Sequence, residues 1–152
     1  MGQLAELEAD VVVEAPPSAV WELLIDWDRQ QEWMLGTRVH GTAQRGHGVG
    51  AGVEAFTGVG KVGFRDPMVI TDWEPPRRIV VVHTGNVVRG TGAFEVFALP
   101  KGRSRFVWTE RLDLPLGWAG RVGWTLAKLP FRAGVQSAMR KFARLVEAEN
   151  AR

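Results

Sequence analysis

One stretch near the end of the chain, residues 116–149, is the only part of the sequence long and periodic enough to form a major helix. The residues before it read as short strands between glycines, with one or two short helices near the start. A sheet that buries only one face needs a covering layer, and this helix is the only element large enough to supply it. We therefore expect an α+β fold in which a sheet wraps around one long helix.

The length and composition indicate one globular domain. The 152 residues can bury a single sizeable core, so we predict one domain over residues 1–152. The first residues lack the basic and apolar segments of a secretory signal, and no apolar run approaches a membrane span. Cysteine is absent, which excludes disulfides and thiolate chemistry and agrees with a reducing compartment. We therefore expect a cytoplasmic protein.

The first 34 residues predict a strand followed by two short helices or one bent helix. A β-branched run within residues 6–15 is typical of a strand, and Pro16 and Pro17 end it. The apolar residues that follow have the i, i+3, i+4, i+7 spacing of an amphipathic helix: Val20, Leu23, Leu24 and Trp27. A polar bridge then leads to Trp33 and Met34.

The glycine-rich middle of the chain predicts a curved sheet. Residues 58–63 match the dinucleotide fingerprint G-x-G-x-x-G, but that motif requires a helix N-terminus after it, and residues 64–73 are strand-like. We interpret the glycines as bends and bulges. Further strands at 78–84, 87–99 and 103–114 are joined by short turns, which indicates an antiparallel meander. In strand 87–99 apolar residues occur on both faces, so the pattern does not decide which face lines the interior.

The strand over residues 103–114 predicts an inward-facing carboxylate. Side chains alternate along a strand, and the heavier apolar set consists of Phe106, Trp108 and Leu112, with Glu110 on the same face. A buried carboxylate is costly unless it is paired or protonated. A salt bridge with a neighbouring arginine is one interpretation of Glu110, and a functional role in a cavity is the other.

The long helix carries two apolar stripes, which lie about half a turn apart at roughly 100° per residue. The first consists of Val122, Leu126, Leu129 and Ala133, and the second of Val135, Met139, Phe142 and Val146. Pro130 lies between them, and its ring clashes with the carbonyl four residues back. We predict a kink or break at Pro130, with the second half packed on the core and the first half covering a cavity mouth.

Three stretches, in the right order along nearly the whole chain, resemble the START-like, helix-grip superfamily and its polyketide cyclase/dehydrase-like (SRPBCC) branch. They are Val11 to Asp26 with Trp33, the turn Asp72 to Val80, and the strand Gly102 to Pro115. The resemblance implies a seven-stranded antiparallel sheet gripping the C-terminal helix, with a deep apolar cavity between them. It also implies a bound lipid, sterol, quinone, hormone or polyketide, and catalysis in only some members.

The resemblance extends to polyketide aromatase/cyclases at Trp108-Thr109-Glu110, where those enzymes present a Trp-x-polar pair to the cavity. They also use an inward arginine on a middle strand, and residues 69–73 contain none.

Several kinds of chemistry find little support in the sequence. None of the three serines lies in a G-x-S-x-G elbow. The three histidines form no i, i+4 pair and no cysteine accompanies them, so we expect no metal site, and no motif indicates a cofactor. No nucleic-acid-binding module is recognisable. His83 is more typical of a hydrogen-bonded structural histidine than of a catalytic one, although it could titrate near neutrality.

Two hypotheses from different classes remain open. In the first, the chain binds a small hydrophobic or aromatic ligand in a cavity with Glu110 as polar anchor, and the walls are Trp33, Phe106, Trp108, Leu112, Trp118, Val122 and Leu126. In the second, the chain is a polyketide cyclase in which Glu110 transfers a proton with a pKa raised by apolar surroundings, and His83 or Arg89 stabilises an enolate.

The charge of the long helix suggests a further partner. From residue 115 onward the chain has seven Lys and Arg residues and two acids. A solvated outer face is the ordinary interpretation of such a pattern. The alternative is peripheral membrane contact through Trp118, Trp124, Lys128 and Arg132.

Overall fold

The computed structural model describes residues 3–114 and 117–152, without the side chains of residues 3, 4, 114, 117 and 118. The strands are β1 Gln3–Val13, β2 Thr37–Gly41, β3 Gly52–Val59, β4 Val62–Glu74, β5 Arg78–Thr84, β6 Arg89–Leu99 and β7 Arg103–Leu114. The helices are α1 Pro17–Leu24 and α2 Gly117–Asn150, with 3-10 helices at Trp27–Glu32 and Ala43–Gly46. The predicted short helices after the first strand are confirmed.

The seven strands form one curved antiparallel sheet in the order β1-β7-β6-β5-β4-β3-β2. Consecutive strands from β2 to β7 are neighbours in the sheet, joined by short turns except between β2 and β3, where residues 42–51 include a 3-10 helix. Strand β1 pairs with β7 along its whole length. The predicted seven-stranded sheet with a long C-terminal helix is confirmed.

The glycine motif at residues 58–63 belongs to the β3–β4 hairpin. Val59 pairs with Val62, and Gly60 between them has φ = +62°, a conformation that glycine adopts without a steric penalty. The chain therefore uses these glycines for a tight turn. The interpretation of the motif as sheet geometry is confirmed.

The second half of α2 packs on the inner face of the sheet, as predicted. Val135, Met139, Phe142 and Val146 are buried in one core with residues of the sheet and of α1. This stripe holds the helix because its side chains exchange water for a packed apolar surface. Residues 121–134 are exposed apart from the half-buried Trp124.

Helix α2 continues through Pro130 without interruption. The sequence predicted a kink or a break at Pro130, and a break does not occur. Among the described residues, none of the helices combines the length and apolarity that crossing a bilayer requires.

Candidate functional site

Three polar side chains from different strands lie on the inner, core-facing side of the sheet. Asp66 shares its face of β4 with Met68 and Ile70, and His83 shares its face of β5 with Ile79 and Val81. Glu110 shares its face of β7 with Phe106 and Trp108, as the alternation predicted. The neighbours of each polar residue belong to the apolar core or pack against it, so strand alternation turns all three groups inward.

The three side chains form a continuous hydrogen-bonded chain. His83 Nδ1 lies 2.8 Å from Asp66 Oδ1 and 3.0 Å from Asp66 Oδ2, and His83 Nε2 lies 3.1 Å from Glu110 Oε2. The second Glu110 oxygen, Oε1, accepts a hydrogen bond from Trp108 Nε1 at 2.8 Å. The partner of the inward carboxylate is therefore a histidine rather than the arginine that the sequence suggested.

A glycine makes the contact between Glu110 and His83 possible. Strand β6 lies between β5 and β7, and its inner face carries Phe94 and Val96, which answers the question that the sequence left open. At the next inward position Gly92 is the register partner of Glu110. The carboxylate of Glu110 occupies the space above Gly92. It thereby crosses β6 and reaches His83 on β5.

The carboxylates hold His83 in its charged form. Burial by itself lowers the pKa of His83, but the hydrogen bonds and charges of Asp66 and Glu110 outweigh it and raise the pKa to about 9. At neutral pH both ring nitrogens therefore carry protons, one donated to each carboxylate. The three side chains thus form a unit in which a protonated imidazole ring is hydrogen-bonded to one carboxylate on each side.

An aromatic cluster adjoins this chain. Trp33 contacts Trp108 and Phe142 with ring centroids 6.2 and 5.0 Å apart, and Phe106 lies 4.8 Å from Phe142. Trp33, Phe106 and Trp108 are buried within the core, while Leu112, two residues beyond Glu110, is half-buried. Of these predicted wall residues Trp108 bonds to Glu110 directly, and the three aromatic residues contribute to the core.

Three other predicted site residues are exposed to solvent rather than buried in this cluster. Arg89 is exposed at the first residue of β6, and Val122 and Leu126 are exposed on α2. The side chain of Trp118 lies outside the described residues. The roles assigned to these four residues stay predictions.

Two open clefts lie elsewhere on the molecule. One of about 610 Å³ is lined by residues of β2, β3 and β4 that include Arg38 and Glu54, and one of about 460 Å³ is lined by residues that include Glu22 and His47. Neither cleft reaches Glu110. The apolar cavity between sheet and helix stays a prediction, and the candidate site is defined by its side chains.

Sequence reasoning missed Asp66. The available signal was the alternation Asp66-x-Met68-x-Ile70, which puts one carboxylate on an apolar face of a strand. Within the described residues, no group of three His, Asp or Glu side chains is arranged to hold a metal ion. Asp66, His83 and Glu110 instead bond to one another in a line.

Solved structures of other proteins have the same fold. The Zhui aromatase/cyclase from a Streptomyces species superposes with a TM-score of 0.76 at 19% identity, over 95% of this chain and 94% of that one. Protein TTHA0849 from Thermus thermophilus superposes with a TM-score of 0.76 at 19% identity, over 95% and 99% of the two chains. A Polyketide_cyc-like protein from Corynebacterium glutamicum superposes with a TM-score of 0.68 at 17% identity, over 98% and 95%.

No curated protein matches the chain by sequence. A family model described as polyketide cyclase / dehydrase and lipid transport matches residues 5–147, and its members are the SRPBCC-type proteins that the sequence motifs resembled. With nearly its whole length matched and its sheet and helix in the expected arrangement, the chain belongs to the polyketide cyclase/dehydrase and lipid transport family.

Proposed function

We propose that the chain binds a small hydrophobic or aromatic ligand, of the polyketide, lipid or quinone type, between the sheet and α2. The observation that carries the proposal is the charged chain Asp66–His83–Glu110 on an otherwise apolar inner face. A core has no need of three ionisable groups, because apolar residues in their place avoid the cost of desolvation. The Glu110 and Asp66 side chains keep 14% and 12% of their surface exposed, against 4% for His83, so a ligand can touch the two carboxylates. Of these, Glu110 is the one that adjoins the aromatic cluster through Trp108.

The charges of Asp66, His83 and Glu110 favour a particular functional group on the part of the ligand that meets them. Two carboxylates surround one imidazolium, so the cluster has a net negative charge, and both N–H groups of His83 are already donated. A carboxylate has about four lone-pair positions, of which Glu110 uses two here. The cluster can therefore accept a hydrogen bond from a ligand hydroxyl, and it repels a ligand carboxylate. We expect a neutral ligand with a hydroxyl or phenol group.

A matched pair of small probes tests this proposal. 2-Naphthol and 2-naphthoate have the same rings, and they differ in presenting a donor or a negative charge. We expect 2-naphthol to quench tryptophan fluorescence with a Kd at least about tenfold lower than that of 2-naphthoate, because like charges at a desolvated site cost several kcal/mol. Glu110→Gln should remove most of this preference.

The control is Glu95→Gln, which makes the same change on the outer face of β6, where alternation puts Glu95 opposite to Phe94. It should leave the preference intact. Equal binding of both probes, or no saturable binding of either, would contradict the proposal.

A second candidate function is acid–base catalysis of polyketide ring closure. It is supported by the histidine between two carboxylates, which resembles the arrangement of a positioned base, and by the aromatase/cyclase among the similar structures. Glu110 would be the base, since it has free acceptor positions. Both N–H groups of His83 are engaged, so an enolate oxygen would need another donor.

Turnover of a short β-polyketone thioester, followed by the absorbance of its aromatic product, tests this candidate. Glu110→Gln should lower kcat by about 100-fold or more in an enzyme, the usual contribution of a positioned base. The binding of 2-naphthol should weaken by less than that factor. Unchanged turnover in the variant would remove Glu110 from the chemistry.

A further inference from the structure

The first half of α2 presents an apolar stripe to solvent. Val122, Leu126 and Leu129 are exposed by 53%, 76% and 75%. Their spacing of four and three residues puts them on one face of the helix. Isolated apolar residues are common on protein surfaces, but a contiguous stripe of long aliphatic side chains marks a surface that contacts something else.

Cations accompany the stripe. Arg121, Lys128 and Arg132 are all exposed in the same half of the helix, and the sequence contains no acidic residue between Asp113 and Glu147. Pairs of Lys or Arg with Glu normally decorate a solvated helix, and here the acidic partners are missing. At about 100° per residue these cations lie together along one flank of the helix, about 100° around the axis from the apolar stripe.

The aromatic residues of this half face another way. Trp124 is half-buried and packs against the core, with its ring 6.0 Å from that of Phe131. At about 100° per residue, Trp124 lies on the opposite side of the helix from the stripe. The membrane contact suggested from the sequence through Trp124 therefore shifts to the aliphatic residues, with Lys128 and Arg132 retained.

We propose that the first half of α2 docks on an anionic membrane surface, with Val122, Leu126 and Leu129 inserted among the lipids and Arg121, Lys128 and Arg132 at the headgroups. The charges favour this occupant over a second copy of the chain, because pairing two such helices would bring cations against cations. Anionic headgroups neutralise them instead, and an amphipathic helix lies in the interface in this way. The exposure of the stripe and the charges beside it carry this proposal, which does not depend on which ligand the chain binds.

Co-sedimentation with vesicles tests the docking surface. We compare vesicles of phosphatidylcholine alone with vesicles that also contain about 30 mol% phosphatidylglycerol, which gives them the negative surface charge of an anionic leaflet. The wild type should partition at least about tenfold more strongly onto the anionic vesicles, since each Lys or Arg near such a surface contributes about fivefold. Raising the salt concentration should reduce this difference.

Two variants separate the apolar and the electrostatic contributions. Leu126→Glu combined with Leu129→Glu should lower partitioning at least about tenfold, because two aliphatic side chains no longer insert among the lipids. Lys128→Gln combined with Arg132→Gln should lower it by a similar factor on anionic vesicles only. The matched control is Val49→Glu, at a residue 64% exposed in the loop before β3, and it should change partitioning less than twofold.

Three results would overturn the proposal: no binding to either kind of vesicle, equal binding to both, or equal loss in Val49→Glu and the stripe variant. Light scattering in solution provides a further check. A dimer that Leu126→Glu dissociates would assign the stripe to a second copy and would also overturn membrane docking.

Discussion

Gly92 lies directly opposite Glu110 on the neighbouring strand, and a β-carbon placed on Gly92 would come within 2.9 Å of Glu110 Oε1 and 3.0 Å of Oε2. The missing side chain is thus a structural requirement of the charged cluster. Any other residue at this position would push the Glu110 carboxylate away from His83.

Gly92→Ala should therefore destabilise the protein by about 1–3 kcal/mol, the usual cost of disturbing a buried hydrogen bond to a charged group. It should also lower the pKa of His83, because one of the two carboxylates that raise it moves away. Urea denaturation measures the stability, and an NMR titration of the imidazole measures the pKa. The control is Gly123→Ala, where an added β-carbon meets nothing within 4 Å. That change should be neutral or stabilising by about 0.5–1 kcal/mol.

The free energy of unfolding should depend on pH through His83. The ordinary pKa of a histidine, which applies to the unfolded chain, is 6.5, and the pKa of His83 in the folded protein is about 9. The folded state therefore holds this proton more tightly. The resulting stability is fully present below pH 6.5 and is lost as the pH rises through 9. The difference amounts to about 3 kcal/mol. Denaturation series between these pH values should show the decline, and His83→Gln should flatten it. A wild-type curve as flat as that of the variant would contradict the charged histidine.

Asp66→Asn should weaken the hydrogen bond between His83 and residue 66. The substitution removes the nearer carboxylate of His83, so the pKa of His83 should fall and the protein should lose about 1–3 kcal/mol. The control is Asp10→Asn, which breaks the exposed pair of Asp10 with Arg105 at 2.9 Å. Exposed pairs contribute about 0–1 kcal/mol, so the control should have a small effect. Equal losses in the two variants would show that burial does not strengthen the Asp66 contact.

Phe142→Ala should be strongly destabilising, by about 3–5 kcal/mol, because Phe142 is fully buried against Trp33 and Phe106. The matched change on the first half of the same helix is Phe131→Ala, at a residue 45% exposed, and it should cost clearly less. Thermal and urea denaturation compare the two variants. Similar losses would mean that the first half of α2 contributes to the core as much as the second half does.

The local patterns in the sequence were sufficient for the architecture and for one side of the site. Alternation in the strand over residues 103–114 turned Glu110 inward, and the spacing of Val135, Met139, Phe142 and Val146 identified the packed half of the helix. These inferences hold because a strand repeats every two residues and a helix every 3.6, whatever the rest of the chain does. The stripe at Val122 and Leu126 had the same spacing, yet spacing alone does not say whether a helix face is covered.

Tertiary structure alone decided the partners. His83 is 27 residues from Glu110 and 17 from Asp66 along the chain, and no local pattern links them. They meet because the register of four adjacent strands aligns their inward positions, with Gly92 leaving the gap between them. The sequence by itself thus determined the elements and the direction of one carboxylate. The registry of the sheet determined that this carboxylate binds a charged histidine, because side chains on strands that are not hydrogen-bonded to each other meet only where every intervening position allows it.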